Sequence, residues 1–210
     1  MLINFNFGYD IIDKRAADFP DKIAVKALTD NDFVLEISNA DLHHHSDVAA
    51  YYLQRMGVKP ASRVLLCGLE KHFEFAIILT ALHKLCAVPV FDFTQNAVNC
   101  ANSVAVYAII AANNSADVEH ITQNISKLKT AEILISVGNP CPDYWLDLHT
   151  GMRFAKQFQP LKNVPANYDS MIIFDKKPQF FNQNYPLETK TDFAWDKFYR
   201  AMINNEIWCC

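Results

Sequence analysis

The run from Phe73 to Val90 constrains this chain most. A helix made from "KHFEFAIILTALHKLCA" is apolar nearly all round, so it has no face to give to water and must be enclosed by other elements. His83 and Lys84 interrupt the run and Pro89 falls near its end. It therefore reads as a core helix leading into the strand "VPVFDF" rather than as a membrane span.

The neighbouring segments alternate between strand and helix. "YDIIDKRAADF" sets Tyr9, Ile12, Ala16 and Phe19 on one helical stripe that Pro20 stops. "KIAVKAL" and "FVLEIS" flank the turn "TDND" as a strand pair. "SNADLHHHSDVAAYYLQRMG" is a helix with Ser38 or Asn39 as N-cap and Gly57 as its stop. "RVLLCG" is a short buried strand, "NAVNCANSVAVYA" a helix, "IIAA" the start of a strand, "VEHITQNISKLKT" an amphipathic helix and "AEILISVG" a strand. This alternation predicts an α/β fold, a mainly parallel sheet with helices on both faces. The Asn- and Pro-rich connector Gln159 to Asp169 marks a soft boundary. Residues 1–160 are expected to form the α/β subdomain, and residues 161–210 a degenerate strand and loop region closed by an amphipathic helix.

At 210 residues, 51% of them apolar and 20% charged, the chain is long enough to bury roughly 70% of its unfolded surface. Its net charge of −4 offers no basic field for phosphate backbones or anionic lipid, so neither nucleic acid nor a membrane is expected as a partner. The opening residues lack the basic start, apolar run and cleavage site of a secretory signal, and a cytoplasmic location is expected.

The six cysteines show no CxxC spacing. Cys67, Cys86, Cys100 and Cys141 lie in apolar segments and are expected as reduced, packed thiols. Cys209 and Cys210 are expected as exposed thiols on a frayed end. His43, His44 and His45 are consecutive, and helical neighbours project about 100° apart, so the three do not share one metal. A solvated or partly packed helix face is expected there. His83, His120 and His149 fall in separate elements and read as structural. Glu70, His72 and Glu74 gather at a helix start, where carboxylates favour the macrodipole; a catalytic His/Glu pair is the alternative.

Several stretches together resemble the N-terminal part of AMP-forming acyl-CoA synthetases, in the adenylate-forming ligase superfamily, and are most similar to its medium-chain branch. They are "FGYDIID" at 7–13, "PDKIAV" at 20–25, "LQRMGVKPASRVLL" at 53–66, "ALHKLCAVPVF" at 81–91, "YWLDL" at 144–148 and "YPL" at 185–187. The resemblance implies a strand at Met171 to Phe174 that feeds a loop rich in serine, threonine and glycine and ending in Pro-Lys. Backbone N–H groups and hydroxyls of such a loop hold the ATP phosphates. Here the strand is followed by "DKKPQFFNQNYPL", several residues too short for that loop, with glutamine after Pro178. The last glycine is Gly151, Asp175 would repel phosphate, and Pro178 has no N–H to donate. Ala61, Ser62 and Cys86 stand at turns where the family usually carries glycine.

The resemblance also implies an acyl pocket, adenosine-binding motifs and a mobile C-terminal domain, none with a counterpart in these 210 residues. No residue is therefore assigned a catalytic, cofactor-binding or metal-ligating role, and the isolated chain is expected to use none of the family's ATP, Mg or CoA. Either it is an inactive, binding or interaction module, or it is one half of a split ligase completed by a second chain. The tail "DFAWDKFYRAMINNEIW" puts Phe193, Trp195, Phe198, Tyr199, Met202, Ile203 and Ile207 on one helix with a wide apolar surface. That surface is expected to dock over the exposed face of the domain or to make a homodimer contact.

Overall fold

The computed structural model describes residues 4–28, 33–156, 158–161, 163–165, 168–188 and 191–210. A small sheet pairs β1 (Ile23–Leu28) antiparallel with β2 (Val34–Ser38), and the chain's last strand, β10 (Trp208–Cys209), adds parallel to the far side of β1. The turn "TDND" between β1 and β2 lies outside the described residues, as do positions 162, 166 and 167 of the connector.

The larger sheet contains β3 (Arg63–Cys67), β4 (Val88–Asp92), β5 (Ala108–Ala112), β6 (Ile133–Val137), β7 (Leu146–Asp147), β8 (Asp169–Asp175) and β9 (Lys177–Asn182). Their spatial order is β7-β6-β5-β3-β4-β8-β9. Every neighbouring pair is parallel except β8 with β9, so the mainly parallel sheet read from the sequence is what forms.

Helices cover both faces. A π-helical turn, Gly8–Asp13, runs into α1 (Lys14–Asp18), followed by α2 (Asn39–Arg55), α3 (Glu74–Lys84), α4 (Ala97–Ser103), α5 (Ala116–Gln123), α6 (Leu148–Arg153), α7 (Tyr185–Glu188) and α8 (Ala194–Ile203). The strands alternate their side chains between two cores. Val64, Leu66 and Ile110 face a core built with α2, α3, α6 and α8, whereas Leu65, Cys67 and Ile109 face one built with α4 and α5.

Helix α3 is buried at every residue, as its unbroken apolar run demands. Its ionisable residues are each answered by another element. The Lys84 ammonium, fully buried, sits 2.7 Å from Asp13 Oδ1 and 2.6 Å from Asp47 Oδ1. His83 Nε2 shares a 2.7 Å hydrogen bond with the Tyr199 hydroxyl of α8, and burial pulls the imidazole down to about 3, keeping it neutral. The carbonyls at the end of α3 accept from Asn6 Nδ2 (2.6 Å, to His83 O) and from the Tyr9 hydroxyl (2.7 Å, to Lys84 O). α8 is fixed in turn by Arg15, whose guanidinium donates to the carbonyls of Ala201 (3.0 Å) and Met202 (2.7 Å) at the helix's negative end.

Four helices stop the same way. After α2, α3, α4 and α8 a backbone bond closes the last turn over a single left-handed residue, as Ala87 N to Leu82 O (2.9 Å) does after α3 and Val106 N to Ala101 O (2.9 Å) after α4. Gly57 is the left-handed residue after α2, but Cys86 (φ 51°), Ala105 (φ 52°) and Asn205 (φ 58°) serve after the other three. Ala61 (φ 64°) is left-handed as well. At Ala61 and Cys86, where the resemblance implies glycine, the backbone keeps the glycine-type conformation and the side chain bears the strain.

Several expectations are corrected. The i→i+5 turns of Gly8–Asp13 break the 3.6-residue phase, so the stripe fails beyond Ile12: Phe19 is half exposed and the buried residue of α1 is Arg15. The helix expected over 96–108 is confined to Ala97–Ser103. Cys141 is exposed, not packed. The C-terminal end is not frayed. Trp208 is buried beside Phe75 and Phe198, while Cys210 N donates to Lys26 O (3.0 Å) and Cys210 O accepts from Leu28 N (3.3 Å). α8 docks as expected, burying Trp195, Phe198, Tyr199 and Met202, but Ile207 lies beyond it and is exposed.

The left-handed caps yield a test. Ala105 is exposed, so Ala105→Gly relieves the Cβ clash without opening the core and should stabilise the fold by about 1 kcal/mol in urea unfolding. A loss of stability would contradict the strain.

Candidate functional site

The strand order places a crevice at the carboxyl end of β3. From β3 the chain crosses by α3 to β4 on one side, and from β4 it crosses by α4 on the opposite face to β5 on the other side. At such a reversal two neighbouring crossovers diverge, which leaves a gap above the strand ends where ligands bind in open α/β sheets. A cavity of about 610 Å³ lies there, between the loops after β3 and β4, the first turn of α5 and the start of α8.

Local chemistry shapes its walls. Gly68 follows β3 at φ 65°, and a Cβ there would lie 2.8 Å from Ser115 Cβ, so only glycine lets this loop pack against the start of α5. Ser115 caps α5 by accepting from Asp117 N (3.2 Å). After β4, Asp92 folds the chain back, accepting from Thr94 N (2.8 Å), Thr94 Oγ1 (2.7 Å) and Asn96 N (3.0 Å). The roof is aromatic: Trp195 stacks between Phe91 (4.1 Å) and Phe193 (4.7 Å), and Phe93 tilts against Phe193.

The charged residues lining this cavity are Glu70, Asp92 and Asp117, with His120 and neither lysine nor arginine. Cys67 also lines it, with its side chain packed into the core under α4 and α5, where burial raises the thiol pKa well above the ordinary value. An adjoining hollow of about 640 Å³ over β8 and β9 adds Asp175 and Glu188, with no lysine or arginine among the described residues that line it. Both hollows are thus lined by carboxylates and aromatic rings, while Lys176 and Lys177 stand at the tip of the β8–β9 turn.

At the end of β8, Asp175 pairs with Lys177 and Phe174 with Pro178. Lys176 alone makes the turn, in the left-handed region at φ 56°. The residues after the strand form an antiparallel edge strand rather than a loop. Pro178 is tolerated there because an edge strand needs hydrogen bonds on one side only. Among the described residues the hairpin forms no cradle of converging N–H groups, and Asp175, Glu188 and Asp92 line the adjoining cavities.

The histidines separate. His44 and His45 are exposed. His43 is half-buried, its Nδ1 2.7 Å from Asp13. Asp13, His43 and Asp47 bring ligand atoms within 4.8 Å of one another, and Lys84 supplies the cation between the two carboxylates. Glu74 pairs with His149 of α6, Oε1 to Nε2 at 3.0 Å, rather than with His72 of its own segment. Among the described residues, no helix is long and apolar enough to cross a membrane.

No protein-family model matches the chain, and no curated protein matches it in sequence. Solved structures do match in fold. The anthranilate CoA ligase AuaEII, crystallised with anthranoyl-AMP, superposes with a TM-score of 0.76 at 15% identity, covering 89% of this chain and 36% of that one. An acyl-CoA synthetase from Brucella canis gives 0.75 at 10% identity, covering 98% and 42%. The inhibitor-bound N-terminal domain of FACL13 from Mycobacterium tuberculosis gives 0.72 at 18% identity, covering 87% and 45%. The chain therefore spans less than half the length of each of these proteins.

The Glu74–His149 pair sets a pH dependence. The hydrogen bond to Glu74 raises the His149 pKa above 6.5, with partial burial opposing. Its stabilisation is full below the unfolded value and is lost as pH rises through the folded one. His149→Gln should therefore cost more stability at about pH 6 than at about pH 8.5, by less than about 1 kcal/mol for this half-exposed side chain. Equal losses in urea unfolding would contradict the pairing. Within these limits, this chain has the fold of the N-terminal subdomain of adenylate-forming acyl-CoA ligases.

Proposed function

We propose that this chain is a binding module with the acyl-CoA ligase fold that makes no acyl adenylate by itself. The observation carrying this reading is the one-residue turn at Lys176, which joins β8 directly to β9 where the resemblance implies a phosphate-holding loop. Loss of even one preorganised donor to a developing charge lowers a rate by about 10²–10³-fold, and here a whole set is replaced by a hairpin. The acidic, aromatic lining of the neighbouring cavity supports the same reading, because it suits neutral or cationic ligands and repels phosphates.

A second reading, one half of a split ligase completed by another chain, draws support from Phe93 and Phe193, which are partly exposed together at this edge and offer an apolar seat for a partner. One assay separates the two. ATP–pyrophosphate exchange with the purified chain and a panel of carboxylic acids should stay at the protein-free background. Exchange by the chain alone would overturn the proposal. Exchange that arises only on adding a second chain carrying the phosphate loop would favour the split ligase.

A further inference from the structure

A second cavity, of about 330 Å³, shares no lining residue with the first and lies between β2, the start of α2, the start of α3 and α6. Its walls are apolar, with Leu35, Ile37, Phe73, Ile77, Leu148 and Met152 supplying most of the surface. α6 reaches this position because Gly151 lets it lie against the Tyr52 ring, where a Cβ would come within 2.3 Å of Cζ. One buried acid opens onto the apolar space. Glu74 is only 6% exposed, and its Oε1 accepts from His149. Its Oε2 takes no hydrogen bond from a described residue, nor is it closed off from solvent as a buried orphan. A carboxylate oxygen in apolar surroundings calls for a donor, and none of the described side chains supplies one.

The other charged groups facing Glu74 define what that donor is. Glu36 comes from β2 and is paired with Lys26 at 2.7 Å, outside the cavity. Asp41 and His45 come from α2, and Asp41 is held by Ser38 N and Oγ. His149 comes from α6. Three carboxylates and two imidazoles thus line the space, with no lysine or arginine among the described residues that line it. We infer that this cavity binds a small apolar amine, its tail among Phe73, Ile77 and Met152 and its ammonium on Glu74 Oε2. The volume suits an alkyl chain of modest length or a single ring.

The test compares three molecules with one tail and different heads. The full chain is titrated near neutral pH with hexylamine, hexan-1-ol and hexanoate, following amide shifts by NMR. Hexylamine should bind at least about tenfold more tightly than either of the others, a difference of about 1.4 kcal/mol. The largest shifts should fall at Phe73–Ile77 and Leu148–Met152. Glu74→Gln should erase the preference for the amine over the alcohol, and Met152→Trp, which fills the cavity, should abolish binding of all three. Equal or tighter binding of hexanoate, no binding of any, or shifts located elsewhere would overturn the inference. Should Glu74→Gln fail to fold, undiminished amine binding by Met152→Trp would overturn it alone.

Discussion

The total enclosure of α3 organises the molecule. An eleven-residue helix with no solvent face gains hydrophobic stabilisation on every side, yet it brings Glu74, His83 and Lys84 into the interior with it. Each such group must find a partner or lose several kcal/mol to desolvation. The answers come from different parts of the chain: Asp13 and Asp47 for Lys84, Tyr199 for His83, and His149 for Glu74. These polar contacts tie the N-terminal segment, α2, α6 and α8 to one helix. Arg15 then joins the first of these to the last by holding the C-terminal carbonyls of α8.

With that helix wrapped, the sheet behind it presents its carboxyl edge as the place where chemistry would occur. The geometry keeps what an α/β ligand site needs, a crevice at the reversal of strand order and a glycine where loop meets helix. What has changed is the charge and the closure. Carboxylates and aromatic rings line the crevice, and β8 turns back at once into β9. A site for phosphate needs converging donors and positive field; the hairpin carries Lys176 and Lys177 at its tip, but the hollow beside it is lined by Asp175 and Glu188.

Much of this was legible in the sequence. The apolar run of α3 and the strands at 63–67 and 133–137 follow from local patterns and formed as read; of the two N-caps read for α2, Ser38 or Asn39, the structure uses Ser38. Three features were not legible, for physical reasons. Arg15 is buried because a π turn shifts the helical phase, which no 3.6-residue periodicity reveals. β9 carries Lys177, Pro178 and Gln179 and is largely exposed, since an edge strand outside the core needs no apolar alternation. Glu74 meets His149 across 75 residues, a tertiary contact that spacing cannot encode.

The central claim is that the segment after β8 is a closed hairpin and not a phosphate-holding loop. Amide NMR of the ¹⁵N-labelled chain, titrated with ATP and magnesium, tests it most directly. A closed hairpin gives slowed hydrogen exchange for the amides bonded between β8 and β9, and no shift of resonances 174–182 as nucleotide is added. Saturable shifts centred on Asp175, Lys176 and Lys177 would show that this edge still receives phosphate, and would contradict it.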